Sequence, residues 1–78
     1  MKKKILLKSI DDVKCFVNEV SKADFDVDLS SGRYVVDAKS IMGIFSLDLT
    51  NAITMDIHCN DKSKTDSFVK SVEKFIVE

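Results

Sequence analysis

The sequence predicts an α+β fold in which helices cover one face of a four-stranded antiparallel sheet. Segments with apolar residues at alternate positions, which predict half-buried strands, are interspersed with segments of helical periodicity. Each predicted strand has one apolar face, and each of the two long predicted helices has one apolar stripe. One layer of helices on one face of the sheet buries all of these surfaces, so we expect an open-faced sandwich with the order βαββαβα and the first strand beside the last.

The composition is typical of one small cytoplasmic domain, residues 1–78. The chain has 78 residues, 45% of them hydrophobic, with thirteen acidic and twelve basic residues. Because nucleic-acid phosphates select strongly basic faces, this balance argues against a nucleic-acid partner. No stretch approaches the ~20 apolar residues of a membrane span, and no signal peptide is recognisable. We therefore expect a reduced, cytoplasmic protein whose partners are neither membranes nor nucleic acids.

The first part of the chain predicts a strand followed by an amphipathic helix. Residues 3–7 are expected to form the strand. Ser9, followed by Asp11 and Asp12, is typical of a helix start. A serine hydroxyl there accepts a free backbone N–H, and the helix dipole favours negative charge in the first turn. We expect the helix to end near Ala23. Its buried stripe consists of Val13, Phe16, Val17 and Val20.

A hairpin is predicted next. Residues 24–29 alternate aspartate with apolar residues, which predicts a strand with three carboxylates on its outer face. A cation site is one interpretation of these carboxylates, but a solvated face is favoured because no further acidic cluster adjoins them in sequence. Residues 30–33 are expected to form the turn, and residues 34–38 the second strand.

Residues 38–47 join the end of this strand to a short helix. Ser40 is expected to be its N-cap, followed by a helix of about eight residues. Such a helix buries only part of its circumference, so some of its large apolar side chains should face water. A docking site is one interpretation, and a simple cap with core packing is the other. The apolar residues are Ile41, Met42, Ile44, Phe45 and Leu47.

The second half predicts a loop, a strand and a final helix. Residues 48–52, three of which are polar, are expected to form the loop, and residues 53–59 alternate as a strand. A turn at residues 60–64 should precede a helix that opens at Thr65 and Asp66. The buried stripe of this helix consists of Phe68, Val72, Phe75 and Ile76.

Three residues with potential chemistry are assigned structural roles. Cys15 and Cys59 together with His58 fall short of the four ligands of a structural zinc site, so we expect no metal and no cofactor. Both thiols are interpreted as small apolar core residues. His58 should lie on the outer face of its strand, where a lone imidazole is a surface residue rather than a catalyst.

Residues 39–47, Lys-Ser-Ile-Met-Gly-Ile-Phe-Ser-Leu, following Val-Val-Asp-Ala, resemble the centre of HPr, the small phosphocarrier of the bacterial sugar phosphotransferase system. The family pattern there is K-S-I-M-G-(V/I)-M-S-L, and this chain departs from it mainly at Phe45. The resemblance extends over nearly the whole chain, more weakly towards the last helix. It implies the same βαββαβα fold that the periodicity predicts.

The resemblance also exposes a departure at the family's active site. HPr proteins open the first helix with a Gly-x-His-Ala-Arg-Pro segment, whose histidine passes a phosphoryl group from the upstream transferase to sugar permeases. Counting back without a gap from Ser21 and Lys22, the family's histidine position falls on Ser9, its arginine on Asp11 and its proline on Asp12. A serine phosphate ester lacks the labile P–N bond, and two aspartates repel a phosphoryl dianion. Phosphohistidine transfer is therefore not expected.

A second family site is retained. The resemblance implies that Ser40 matches the serine that a dedicated ATP-dependent kinase phosphorylates in HPr of low-GC Gram-positive bacteria, producing a form that binds a catabolite-control repressor. Ile41, Met42 and Phe45 match the apolar patch through which the family docks its partners. A family member that lost the histidine and kept the serine, the catabolite repression HPr-like protein, is a precedent.

These observations predict a non-catalytic regulatory or binding protein with a phosphorylatable serine at Ser40. The implied partners are of the phosphotransferase or catabolite-control type, namely a kinase, a repressor or the upstream transferase. Two alternatives stay open. One is an active phosphocarrier that uses an unrecognised residue, and the other is a scaffold that kept the fold and lost both sites.

Overall fold

A computed structural model describes residues 1–77 as an α+β fold with one four-stranded antiparallel sheet and helices packed on one face. The fold class and the element order predicted from the sequence are confirmed. The elements are β1 (Lys2–Ile5), α1 (Ile10–Ser21), β2 (Asp26–Ser31), β3 (Tyr34–Asp37), α2 (Ile41–Phe45), β4 (Ile53–His58), α3 (Lys62–Ser71) and a 3₁₀ turn (Glu73–Phe75).

The strands are ordered β1-β4-β2-β3, and every neighbouring pair is antiparallel. The first strand therefore pairs with the last, as the split β-α-β arrangement requires. Residues after the 3₁₀ turn extend this edge, because Ile76 bridges Ile5 and the Val77 N–H donates to the Lys4 carbonyl at 3.0 Å. None of the helices formed within residues 1–77 is long and apolar enough to span a membrane.

The core lies between the helices and the sheet. Alternate side chains of β2 and β4 are fully buried on the helix side, and each such burial contributes about 1.5–3 kcal/mol. Phe16 of α1 meets Phe75 edge to face, with ring centroids 5.9 Å apart, which joins the first helix to the chain's end. The buried residues on β2 and β4 are Val27, Leu29, Ile53, Met55 and Ile57.

The first strand is shorter than predicted, and the helix after it also ends early. β1 ends at Ile5, so the expectation of a strand through Leu7 was wrong. The Leu6 N–H donates to the Phe75 carbonyl at 2.9 Å instead of continuing the ladder, and Leu7 turns into the core. α1 ends at Ser21, two residues before the expected end.

The first strand of the hairpin is shifted towards the C-terminus relative to the prediction, whereas the second strand begins at Tyr34 as predicted and ends at Asp37, one residue early. β2 runs to Ser31, and only Gly32 and Arg33 form the turn. Gly32 has a φ of 59°, which a two-residue hairpin loop requires at its first position and which glycine adopts without strain.

Asp24 does not lie on the outer face of the sheet, contrary to the prediction of three aspartates there. It precedes β2, and the Lys64 ammonium of α3 contacts its Oδ2 at 2.8 Å. The hydrogen bond and charge of Lys64 lower the pKa of Asp24. This exposed pair holds the α1–β2 connection near the start of α3.

The last helix begins three residues earlier than predicted. Asp61 is its N-cap, and the Asp61 Oδ1 accepts the N–H groups of Ser63 at 2.9 Å and Lys64 at 3.2 Å. Thr65, the predicted start, is buried inside the helix, where its hydroxyl donates to the Asp61 carbonyl at 3.0 Å. A carboxylate that accepts two N–H groups stabilises an earlier start.

Replacement of the capping carboxylate tests this helix start. We expect Asp61→Ala to lower the free energy of unfolding by about 1 kcal/mol, because two N–H groups lose their acceptor. Urea unfolding followed by circular dichroism measures the change. Asp66→Ala, an exposed position within the same helix, is the matched control and should be nearly neutral. Equal stability of Asp61→Ala and wild type would contradict the observed cap.

Candidate functional site

Ser40 is held at the junction of β3 and α2 by local hydrogen bonds. Its side-chain oxygen accepts the Gly43 N–H at 3.2 Å, as the predicted N-cap should, and its own N–H donates to the Asp37 carbonyl at 2.9 Å. The Asp37 carboxylate accepts the Lys39 N–H at 2.9 Å and tightens the same turn. The Ser40 side chain is exposed, so its hydroxyl is accessible while its backbone is fixed.

Gly43 allows α2 to lie close to β3. A Cβ atom at this position would be 3.2 Å from the Ser40 Oγ and 3.2 Å from the Val36 Cβ, tighter than an ordinary contact. Any larger residue would push the helix away from the strand or displace the Ser40 hydroxyl. Glycine therefore sets the position of Ser40 relative to the sheet.

α2 has five residues, so the predicted length of about eight was wrong. Its last turn is closed by Ser46, whose hydroxyl donates to the Gly43 carbonyl at 2.6 Å, and by the Leu47 N–H, which donates to the Ile44 carbonyl. This closure directs Leu47 into the core instead of extending the helix.

The apolar side chains in the segment 41–47 divide between the core and the surface. Ile44 and Leu47 are buried, whereas Met42 is 77% exposed and Phe45 42% exposed. Ile41 is half-buried and packs against the core. Of the three residues that the resemblance assigns to partner docking, the structure thus presents Met42 and Phe45 most fully to solvent.

Ser9 caps the first helix. Its Oγ accepts the Asp12 N–H at 3.1 Å, and the Asp12 Oδ2 accepts the Lys8 N–H at 3.0 Å, so each of the two side chains satisfies one backbone N–H at the helix start. Asp11 is exposed beside them. The local chemistry at this position is that of a capped helix start with two carboxylates.

The structure brings the start of α1 and the end of α2 together. They share an open cavity of about 430 Å³. Sequence reasoning did not connect Ser9 with Phe45, and it missed Ile10, which is 62% exposed at the rim. Ile10 lies three residues before Val13, on the helical stripe, and that spacing was the available signal. The cavity is lined by Leu6, Leu7, Lys8, Ser9, Ile10, Val13, Phe45, Leu49 and Thr50.

The loop after α2 is organised by Asp48. Its Oδ1 accepts both the hydroxyl and the N–H of Thr50, the latter at 3.0 Å, and its Oδ2 accepts the Asn51 amide at 3.3 Å. The hydrogen bonds from Thr50, the hydroxyl first, lower the pKa of Asp48. Because Leu49 and Thr50 line the cavity, the ionised Asp48 fixes one of its walls.

His58 lies on the open face of the sheet, away from the helices. Its Nε2 is 2.9 Å from the Asp28 Oδ2 and 3.8 Å from the Asp56 Oδ2, and Asp26 is its partner in the β2–β4 register. The position on the outer face was predicted, but the contact with Asp28 was not, because thirty positions separate the two residues in sequence.

The remaining candidate ligands do not form a metal centre. Within residues 1–77, no group of three or more His, Cys, Asp or Glu side chains could hold a metal ion. Cys15 and Cys59 are unpaired thiols, half-buried and packed against the core.

Comparisons with known proteins agree with this fold. A family model described as "PTS HPr component phosphorylation site" matches residues 13–78. The chain belongs to the HPr family. The matched residues include Ser40 and α2, and they begin directly after Asp12. A search of curated proteins finds no match.

Solved HPr-family structures superpose on most of the chain. HPr-C-His from Thermoanaerobacter tengcongensis has a TM-score of 0.75 at 23% identity, covering 95% of this chain and 92% of that chain. HPr from Bacillus anthracis has a TM-score of 0.67 at 22% identity, with coverages of 91% and 94%. The catabolite repression protein Crh of Bacillus subtilis has a TM-score of 0.64 at 25% identity, with coverages of 97% and 88%.

The lowered pKa of Asp48 can be tested by mutation and by titration. Because the Thr50 hydroxyl donates to ionised Asp48, Thr50→Val should raise the pKa of Asp48 towards its ordinary value. The depressed pKa also means that the loop contacts are present at neutral pH and are lost as the pH falls through the folded-state pKa, below about 4. NMR titration of the side-chain carboxyl carbon measures both effects.

Thr54→Val on β4 removes a hydroxyl that does not contact Asp48 and is the control, with no change expected. An Asp48 titration that is identical in Thr50→Val and wild type would contradict the assigned hydrogen bond.

Proposed function

We propose that this HPr-family chain is a regulatory or binding protein, not an enzyme, that acts in the bacterial cytoplasm through phosphorylation of Ser40. The observation that carries the proposal is the exposed Ser40 hydroxyl, fixed at the N-cap of α2 beside the exposed side chains of Met42 and Phe45. A phosphate there would change the charge next to an apolar surface. The proposed partners are the kinase that adds the phosphate and a repressor-type protein that reads it.

The geometry of the junction supports a phosphoryl group on Ser40. The Gly43 N–H already points at the Ser40 oxygen, and the positive end of the peptide dipoles of α2 favours a dianion over a neutral hydroxyl. The fixed backbone of the Asp37–Ser40 turn would present this phosphate in one orientation. A partner can then combine charge-assisted hydrogen bonds to the phosphate with contacts to the apolar surface.

The apolar surface beside Ser40 supports docking of a protein. Met42 and Phe45 project from α2, and Ile10 projects from α1 on the other side of the shared cavity. Exposed apolar side chains grouped in this way are typical of protein-binding surfaces. Because Phe45 belongs to the helix that Ser40 caps and also lines the cavity, we propose that one partner contacts both.

The chemistry at Ser9 argues against phosphohistidine transfer. Ser9 and Asp12 are engaged in capping α1, and a phosphoryl group there would meet the carboxylates of Asp11 and Asp12. The sequence contains one histidine, His58, and it lies on the opposite face of the sheet against Asp28 and Asp56. Those carboxylates would repel an incoming phosphoryl dianion. We therefore propose that the chain receives no phosphate from the upstream transferase.

A kinase assay tests the proposed modification. After incubation with an HPr-type kinase and ATP, intact mass should show one added, acid-stable phosphate. Ser40→Ala should abolish the addition, because the acceptor oxygen is gone. Ser46→Ala removes a hydroxyl at the other end of α2 and is the matched control, which should still be modified. An unmodified wild type, or a phosphate retained in Ser40→Ala, would exclude the proposed switch.

A second assay tests the absence of transfer. With phosphoenolpyruvate and the upstream transferase of the phosphotransferase system, the chain should acquire no acid-labile phosphate. A parallel incubation with a histidine-containing HPr shows that the transferase is active. An acid-labile phosphate that disappears in His58→Gln would establish the chain as a phosphocarrier. Silence in both the kinase and the transferase assays would favour a scaffold that kept only the fold.

A further inference from the structure

The two edges of the sheet are protected differently. At the β1 edge, Ile76 bridges Ile5, the Val77 N–H bonds to Lys4, and the strand itself carries three lysines. β3 is the other edge, and the described residues 1–77 place no strand on its outer side. Three of its four residues, Tyr34, Val35 and Val36, have aromatic or apolar side chains, with Tyr34 71% exposed and Val35 65% exposed. An uncovered apolar edge is a template for pairing with another strand.

The backbone groups that this edge offers follow from the β2–β3 register. Ser31 pairs with Tyr34 and Leu29 with Val36, and the Ala38 N–H donates to the Val27 carbonyl at 2.9 Å. Because antiparallel pairs alternate, the N–H groups of the even-numbered residues of β3 face β2, and those of the odd-numbered residues face outwards. Val35 therefore presents both its N–H and its carbonyl to solvent. Asp37 presents its N–H, since its carbonyl already accepts from Ser40.

We propose that β3 pairs antiparallel with β3 of a second copy of this chain, about a two-fold axis at Val35. The two Val35 residues exchange both of their outward hydrogen bonds in this register, and the Asp37 N–H of each copy donates to the Arg33 carbonyl of the other. The two sheets become one eight-stranded sheet with all helices on the same side. Ser40, Met42 and Phe45 are not part of the pairing.

The side chains favour this register. It places Tyr34 opposite Val36, Val35 opposite Val35 and Arg33 opposite Asp37, which are an aromatic–β-branched, an apolar and an opposite-charge pair. The charge pair occurs twice by symmetry. A register centred on Val36 would instead oppose Val35 to Asp37, so it gains neither the charge pair nor the aromatic pair. This self-complementarity is what selects a second copy over an unrelated strand.

The dimer is weak because the edge is short. β3 has four residues, so we expect the seam to bury less than the ~1,200–2,000 Å² of stable interfaces. We therefore expect a monomer at low concentration and a reversible dimer at high concentration. This behaviour differs from the domain-swapped, intertwined dimer described for Crh, in which chains exchange a segment.

Sedimentation velocity of the full chain, from about 10 μM to about 1 mM, tests the proposal. Wild type should shift from monomer to dimer over this range. Val35→Lys should raise the dissociation constant at least about tenfold, because it sets two like charges directly opposite each other. Val77→Lys, the same substitution at a valine 55% exposed on the other edge, is the control and should dimerise like wild type.

Charge-swapped variants test the register. Arg33→Asp and Asp37→Arg should each fail to dimerise alone, because each opposes like charges, whereas an equimolar mixture of the two should dimerise. Thermal unfolding verifies that both variants are folded. A wild type that stays monomeric to about 1 mM, or a dimer equally stable in Val35→Lys, would overturn the proposal. A dimer lost in Val35→Lys but not restored in the mixture would overturn the register centred on Val35.

Discussion

The arrangement of the chain depends on the apolar character of a single face of its sheet. Alternate residues of β2 and β4, among them Val27, Leu29 and Met55, are buried on one face of the sheet. The residues between them carry carboxylates, hydroxyls and one imidazole. Helices can gain burial on the first face only, so all of them pack there. This one-sided burial places the starts of α1 and α2 in one layer and leaves the opposite face open to solvent.

The two faces separate two kinds of chemistry. On the helix side, the Ser40 hydroxyl lies near exposed apolar side chains, and the Ser9 segment joins the same surface through Ile10 and Phe45. On the open side, His58 lies among carboxylates and contacts Asp28. A phosphate is favoured beside backbone N–H groups and disfavoured beside carboxylates, so the proposed modification and the only imidazole of the chain are kept apart.

Most of the local structure could be predicted from the sequence because short-range interactions decide it. The caps at Ser9 and Ser40 each bond an N–H three residues ahead, and the apolar stripes follow the helical repeat. The start of α3 was predicted wrongly because Thr65 is also a residue type found at caps. Asp61 is the cap because its carboxylate accepts two N–H groups, and Thr65 is buried inside the helix, which sequence spacing does not reveal. Asp24 was misplaced for a similar reason, since its partner Lys64 lies forty positions away.

The sequence by itself determined the fold class, the element order, the resemblance to HPr, and the serine and aspartates at the family's histidine segment. Only the tertiary structure decided that Phe45 and Ile10 border one cavity, that His58 contacts Asp28, and that β3 is an edge strand left uncovered by the described residues 1–77. The physical reason is the separation along the chain of the residues that interact. Caps and periodicity join residues within a turn or two, whereas sheet register and helix packing set the distances between residues far apart in the chain.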